Sequence, residues 1–270
     1  MERRPFTEIL ANEKLDLKLE YIRLSVIFNA TDKDGYSLRE LCEKHFLEMP
    51  FRGTYLGLKD FEECNDIVFE IEPENVDINY LVNFCEYIYN LVVHLKERTH
   101  FERSKFSNPI VHIRTLIEKI GYMMIQHEDI YLLVPKSQPA IVVSEMLPAD
   151  LSYKVIEYNH HSMKGDLARK QATLKLLADQ LEAKQKELNQ IDKQFKSDLF
   201  CLLNSMNIRH NNIEPTAKEY KKAVAEMPKE ELEQWYDEIY DMCLYAFMTL
   251  DQANRNAKVK ALKQKIEDRN

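Results

Sequence analysis

The fold is decided by residues 166–206, which read DLARKQATLKLLADQLEAKQKELNQIDKQFKSDLFCLLNSM. The apolar residues of this stretch recur at mixed intervals of three, four and seven, the spacing of one face of an α-helix. The stripe consists of Leu167, Leu174, Leu177, Leu181, Leu188, Ile191, Phe195 and Leu202. Gly165 and Asp166 start a new helix at the beginning of this stretch, so the pattern predicts one long helix that ends near Met206.

A second long helix is predicted from Pro228 onward. Its apolar stripe consists of Leu232, Trp235, Ile239, Met242, Ala246 and Leu250, and beyond Asp251 a weaker stripe continues through Val259, Leu262 and Ile266. Neither stripe can face water, so each must pack against the other, the N-terminal region or a second subunit. The two stripes predict a long antiparallel helical hairpin in the C-terminal half.

The remaining regular elements are mostly helical. Helices are predicted at Thr7–Asn29 and Asp77–Phe101, and from Asn108-Pro109, a cap followed by a first-turn proline, to Gln126. Two β-branched runs, Ile130–Val134 and Ala140–Ser144, flank a polar turn and predict a β-hairpin. The sequence therefore predicts a mainly α fold: a helical bundle with the long hairpin and one small β-hairpin.

Length and composition indicate a folded protein of one or two domains. The chain has 270 residues, of which 45% are hydrophobic and 30% are charged. We predict an N-terminal helical region with the β-hairpin, residues 1–147, and a C-terminal region of long helices, residues 148–270. The boundary is loose, and a single domain fits as well. Only 5 glycines are present, and none forms the glycine-rich loop that cradles phosphates.

The net charge and the cysteines limit the partners and the cellular compartment that the sequence predicts. The formal net charge is −8, so binding to nucleic acid would need a local basic patch. The five cysteines are scattered and form no Cys-x-x-Cys pair, which favours reduced thiols in the cytoplasm over a zinc site. No apolar run approaches the ~18 residues of a membrane span. We expect no metal, no cofactor and no membrane association.

A polar cluster follows the first long helix at residues 207–215, called the polar turn below. It contains Arg209, His210, Asn211 and Asn212. Arginine can clamp a phosphate and histidine can exchange a proton near pH 7, so this set would suit phosphodiester cleavage by a neighbouring 2′-hydroxyl. Alternatively, the amides and His210 cap the helix and Arg209 pairs with a carboxylate.

A polar Arg/His/Asn turn between long helices resembles the HEPN superfamily (higher eukaryote and prokaryote nucleotide-binding), which includes bacterial toxin and antiphage ribonucleases. The resemblance implies metal-independent RNA cleavage in a dimer, with a role in antiphage or stress defence. Arg209 would be the phosphate ligand and Asn211 or Asn212 the polar helper. In the family, four to six residues stand between the arginine and the histidine, whereas His210 is adjacent to Arg209. Either His210 is the base in a rearranged geometry, or the motif is degenerate and the protein is not a nuclease.

Three lysines after the turn, Lys218, Lys221 and Lys222, form the predicted basic patch for RNA. The first functional hypothesis is therefore a homodimeric, metal-independent endoribonuclease that uses Arg209 and His210. The second is a non-catalytic helical protein that forms a homodimer or docks a protein partner. Under the second hypothesis, the polar turn is only a cap.

A second polar cluster comprises Tyr158, His160, His161 and Lys164. Neighbouring histidines rarely share one ion, so the plain interpretation is a solvated helix junction. A straight helix of about 40 residues would place this cluster about 60 Å from the polar turn. Only a break in that helix, or an antiparallel dimer, would bring the two clusters together.

Overall fold

A computed structural model describes residues 15–31, 35–69, 76–98 and 103–268. The predicted mainly α fold is confirmed, since the described residues form α-helices and one two-stranded sheet. The chain forms two compact units that divide between Leu133 and Val134. The boundary predicted at residues 147 and 148 falls inside the second unit.

The first unit is built around one long buried helix. Its helices are α1 (Leu17–Asn29), α2 (Leu38–His45), α3 (Leu58–Cys64), α4 (Ile78–Arg98) and α5 (Arg103–Lys119). Helix α4 packs against α1, α2 and α5. It contributes Leu81, Cys85, Ile88 and Val92, at helical spacing, to a core that excludes water. The predicted start of the first helix at Thr7 lies outside the described residues.

The prediction that a helix starts at Asn108-Pro109 and runs to Gln126 was wrong at both ends. Helix α5 begins at Arg103, with Pro109 inside it. Phe106 and Ile113 are buried in the same core, so packing extends the helix through the proline despite the hydrogen bond that proline removes. The helix stops at Gly121, whose φ of +77° suits glycine.

The predicted β-hairpin exists, but its strands were partly misplaced. Strand β1 (Tyr122–His127) pairs with β2 (Ile130–Pro135) through a turn in which Glu128 has a φ of +51°. The segment predicted as the second strand is helix α6 (Gln138–Ser144) instead. Ser137 caps this helix, accepting a hydrogen bond from the N–H of Ala140, and Pro139 fits its first turn.

The second unit continues with helices of very different lengths. They are α7 (Ala149–Glu157), α8 (Leu167–Glu182), α9 (Gln185–Ile191), α10 (Lys193–Ser205), α11 (Lys222–Ala225) and α12 (Lys229–Glu267). The single helix predicted between Gly165 and Met206 was wrong, because it is broken into α8, α9 and α10. Asp192 has an extended backbone, and its carboxylate accepts the N–H of Phe195 at 2.9 Å, so it ends one helix and caps the next.

The breaks fold the chain back on itself. The side chain of Gln171, near the start of α8, donates to the carbonyl of Asn207, just after the end of α10. Helix α10 runs antiparallel to α12, since the Phe195 ring meets Tyr245 edge-on at 5.0 Å while Asn207, beyond the other end of α10, bonds Tyr236. Among the described residues, no helix combines the length and the apolar character of a membrane-spanning segment.

Candidate functional site

The polar turn is held by two asparagines that bond each other's backbone. Asn207 adopts a left-handed φ of +57°, which ends the helical path of α10. Its N–H donates to Asn212 Oδ1 at 2.8 Å, and the N–H of Asn212 donates to Asn207 Oδ1 at 3.1 Å. Asn212 is fully buried, and its Nδ2 donates to the carbonyl of Glu219 at 2.6 Å. This predicted polar helper is therefore committed to the backbone.

Arg209 joins two helices. Its Nη1 donates to Asn204 Oδ1 at 3.1 Å, and its Nη2 pairs with Glu182, at the end of α8, at 2.6 Å. The backbone N–H of Arg209 donates to the carbonyl of Leu203. Its side chain is 21% exposed. The guanidinium therefore connects α8 to α10 and already has a carboxylate partner.

The other two residues of the proposed catalytic set lie at the surface. Asn211 Oδ1 accepts the N–H groups of Ile213 and Glu214, and its Nδ2 donates to Glu214, an arrangement that shapes a local turn. His210 is exposed, and within the described part of the chain its side chain makes no hydrogen bond. The four residues are thus adjacent in space, but only His210 retains an unused polar side chain.

A groove of about 580 Å³ separates the polar turn from α8. Arg209 and His210 line one wall, and Gln171 and Lys175 line the other. Lys175 was missed at the sequence level, although its spacing of four from Gln171 places both on one helix face. The groove therefore brings Lys175 near the two residues predicted to bind phosphate and move a proton.

The predicted RNA-binding lysines do not line this groove. Lys218, Lys221 and Lys222 are exposed, and Lys222 pairs with Glu226 at 3.7 Å. The N–H of Lys221 donates to the carbonyl of Asn212 and so helps to fold the polar turn. These lysines are therefore not part of the groove lining that contains Arg209 and Lys175.

The second predicted cluster forms part of another pocket, called the tyrosine pocket below. Tyr158, His160, His161 and Lys164 line a space of about 600 Å³. Helix α12 supplies its other wall, from which carboxylates at successive turns face the pocket: Glu230, Glu233, Asp237 and Asp241. The structure thus brings all four predicted residues together and adds an acidic helix face.

Lys170, whose burial the sequence reasoning did not predict, lies at the centre of the tyrosine pocket. Lys170 is 5% exposed, and its Nζ lies 2.7 Å from Asp237 and 2.8 Å from Glu233. The same Nζ lies 5.3 Å from the ring centre of Tyr158, whose hydroxyl donates to Asp237 at 3.0 Å. The Tyr158 and Tyr240 rings are stacked with centres 4.0 Å apart. The cation, two carboxylates and two phenols form one network.

The environment shifts the pKa values of these groups. Burial, followed by the nearby Asp237 carboxylate, raises the pKa of Tyr158, so the phenol stays neutral. Burial alone would raise the pKa of Glu233, but hydrogen bonds from Lys170 and the Gly165 N–H outweigh it and lower that pKa. Burial and the charges of Glu238 and Asp237 raise the pKa of Asp241. The lowered pKa favours the ionised form of Glu233 beside Lys170.

His160 has a local structural role in the same pocket. It is 4% exposed, and its Nδ1 accepts the N–H of Ser162 at 3.2 Å, which starts a short 3-10 helix (His161–Met163). Arg169 donates to Ser162 Oγ at 3.3 Å and to Glu157 at 2.5 Å. These bonds fix the junction between α7 and α8 and orient the ring of His160.

No family model, curated protein or solved structure matched this chain. The resemblance to HEPN proteins therefore rests on the short polar turn alone.

Proposed function

We propose that this chain is a non-catalytic interaction protein that docks a partner through the exposed end of α12. One observation carries the proposal: three aliphatic residues, Val259, Leu262 and Ile266, are 50%, 58% and 55% exposed along that end. Their spacing of three and four places them on a single helix face. An apolar stripe that is exposed in the described part of the chain is typical of a binding site for another chain.

This end of α12 does not contribute to the core of the second unit. Leu250 is the last buried residue of the helix, whereas residues 254–268 are all exposed. The remaining 17 residues of α12 extend about 26 Å beyond Leu250. Three alanines and several lysines and glutamines, which are strong helix formers, favour a helix in this exposed segment.

Local hydrogen bonds further support the exposed segment. Arg255 bonds Asp251 at 2.5 Å, Gln252 bonds Asn256 at 2.9 Å, and Gln264 bonds Asp268 at 3.3 Å. The stripe is therefore not needed to form the helix. Full burial of one such aliphatic side chain stabilises a complex by about 1.5–3 kcal/mol, so covering three of them would favour docking.

The polar turn also supports the non-catalytic interpretation. Arg209 is paired with Glu182, and Asn212 is buried in backbone hydrogen bonds, as expected of a helix cap. A phosphate would have to displace Glu182 from the guanidinium before it could bind there bidentately. This geometry favours a structural role for the residues that resemble the HEPN motif.

The test compares Leu262→Asp with the matched control Gln264→Asp. Both changes introduce one aspartate, but the two positions are separated by 200° around the helix and face opposite sides. Neither residue is in the core, so we expect both variants to keep the wild-type melting temperature. Leu262→Asp should abolish binding of amphipathic helical probe peptides by the full chain, whereas Gln264→Asp should retain it. Equal binding by the two variants would contradict the proposal.

A second candidate function is metal-independent RNA cleavage at the polar turn, as in bacterial defence ribonucleases. The groove favours it, because Lys175, Arg209 and the uncommitted His210 line one open space. The test incubates RNA with the wild type and with His210→Ala in EDTA, with folding checked by circular dichroism. Cleavage that persists in EDTA and disappears in the folded variant would support this function over the first.

A further inference from the structure

The charges beside the stripe of α12 specify what can cover it. Val259 and Ile266 are seven residues apart with Leu262 between them, which is the spacing of the core positions of a coiled coil. Lys258 and Lys265 flank one side of this stripe and Lys263 flanks the other, and all three are exposed. Residues 255–266 contain five cations and no carboxylate. The stripe is therefore bordered by positive charge on both sides.

A second copy of this chain is a poor partner for the stripe. In a parallel pair, Lys258 of one helix would face Lys263 of the other. In an antiparallel pair, the lysines on each side of the stripe would face the lysines on the same side of the other copy's stripe. Like charges at these positions are destabilising, and flanking charges set partner choice in coiled coils. Self-pairing at this segment is therefore opposed by the same residues that would attract an acidic helix.

We propose that the partner is an amphipathic helix of another protein, with aspartate or glutamate on both sides of its apolar stripe, paired with residues 258–266 as a short coiled coil. This inference rests on the proposed function and names the class of partner. The lysine–carboxylate pairs between the two helices would supply specificity, while the three aliphatic side chains would supply the buried surface.

The composition of the segment favours a helix over an anionic membrane surface. Helices that lie in a membrane interface usually insert tryptophan, phenylalanine or leucine. Residues 251–268 contain no aromatic residue, and the stripe is a single row of three aliphatic side chains along the helix. A narrow seam of this kind matches a second helix, because a membrane-bound face is broader.

The experiment measures binding of three helical peptides to the full chain by fluorescence anisotropy. The peptides carry the same isoleucine and leucine core and differ only in their flanking residues, which are glutamate, glutamine or lysine. We expect the glutamate peptide to bind about tenfold more tightly than the glutamine peptide at low salt, because up to three ion pairs form. The difference should shrink as salt screens the charges.

A charge-reversed variant provides the sharpest check. Lys258→Glu, Lys263→Glu and Lys265→Glu together should switch the preference to the lysine peptide, with the helix content and melting temperature retained. Leu262→Asp should remove binding of every peptide, and Gln264→Asp should not.

The outcomes separate this inference from the proposed function. If the glutamine or lysine peptide binds the wild type most tightly and Leu262→Asp abolishes it, the acidic partner is overturned and the docking function stands. If no peptide binds through Leu262, the docking function itself is overturned. Binding of the wild type to phosphatidylserine vesicles but not to peptides would overturn the protein partner. Self-association in sedimentation that Leu262→Asp abolishes would do the same in favour of a second copy.

Discussion

In both the polar turn and the tyrosine pocket, a cation pairs with one or two carboxylates. The two networks differ in how exposed the cation is and in how far apart the partners lie in the sequence. At the polar turn, the side chain of Arg209 is 21% exposed, and its partner Glu182 is 46% exposed. In the tyrosine pocket, the side chain of Lys170 is 7% exposed and joins two carboxylates of α12, Glu233 and Asp237, the second of which lies 67 residues further along the chain. The first network connects α8 to α10 through a half-exposed carboxylate, whereas the second connects α8 to α12 through a buried cation.

This difference separates residues that attract attention in a sequence from residues that hold a fold together. The polar turn combines an arginine, a histidine and asparagines, which is typical of a functional site, but most of its side chains bond backbone groups within a few residues. The tyrosine pocket depends on one lysine in an otherwise apolar helix face. Four substitutions measure how far the two networks differ in their contribution to stability.

Lys170→Met should have the largest effect, a loss of about 3 kcal/mol in the free energy of unfolding. The change removes a buried cation that contacts both Glu233 and Asp237 and leaves these carboxylates without it. Urea unfolding followed by circular dichroism measures the loss. Lys175→Met, an exposed position on the same helix, is the matched control and should change stability by less than about 0.5 kcal/mol. Similar losses in the two variants would show that the network contributes little.

The same variant should change the dependence of stability on pH. The pKa of Glu233 is lowered in the folded protein, so its ionised form contributes stability above the ordinary glutamate pKa. That contribution is lost as pH falls through the folded pKa. We therefore expect the difference between the wild type and Lys170→Met to be constant near neutrality and to narrow below about pH 4. A difference that stays the same at every pH would argue against an ionic network.

Asn212→Ala should have the next largest effect, a loss of about 2 kcal/mol. Asn212 is fully buried, and its side chain accepts from Asn207 N–H and donates to the Glu219 carbonyl, so both backbone groups would lose their partner. Asn211→Ala is the control, because its hydrogen bonds are exposed and water can replace them. If the two alanine variants were equally stable, the buried pair would not be what holds the polar turn.

The long apolar stripes made the helical class of this fold readable from the sequence, but not the course of its first long helix. The apolar positions on both sides of Asp192 keep helical spacing, since Leu188 and Leu199 are both buried in the core of the second unit. Periodicity therefore continued through a position where the backbone is extended. The only local signal was an aspartate able to cap a following turn, and such residues also occur on exposed helix faces.

The candidate sites were readable to different degrees. Lys170 shares the face of Leu174, Leu177 and Leu181 at spacings of four, three and four, so a lysine within an apolar stripe was a visible signal for a buried cation. Its partners on α12 carry no matching local signal, because only tertiary packing brings Glu233 and Asp237 to it. The polar turn was found by composition, but composition did not distinguish a cap from a phosphate site.

Arg209→Met should lower stability by about 1 kcal/mol, less than either change above. The variant keeps much of the side-chain packing but loses the ion pair with Glu182, and a pair this exposed contributes little because water screens it. Thermal and urea unfolding measure the change, with the exposed Lys218→Met as the control. A loss as large as that of Lys170→Met would show that the two networks contribute equally to the free energy of unfolding.

His210→Ala should have the smallest effect, within about 0.5 kcal/mol of the wild type, because this exposed side chain has no hydrogen bond in the described structure to lose. That expectation gives the variant its value. A change that leaves the fold intact can report on chemistry, whereas Arg209→Met alters the link between α8 and α10. If His210→Ala destabilised the chain as much as Asn212→Ala, His210 would be part of the cap, and the polar turn would have no side chain left for catalysis.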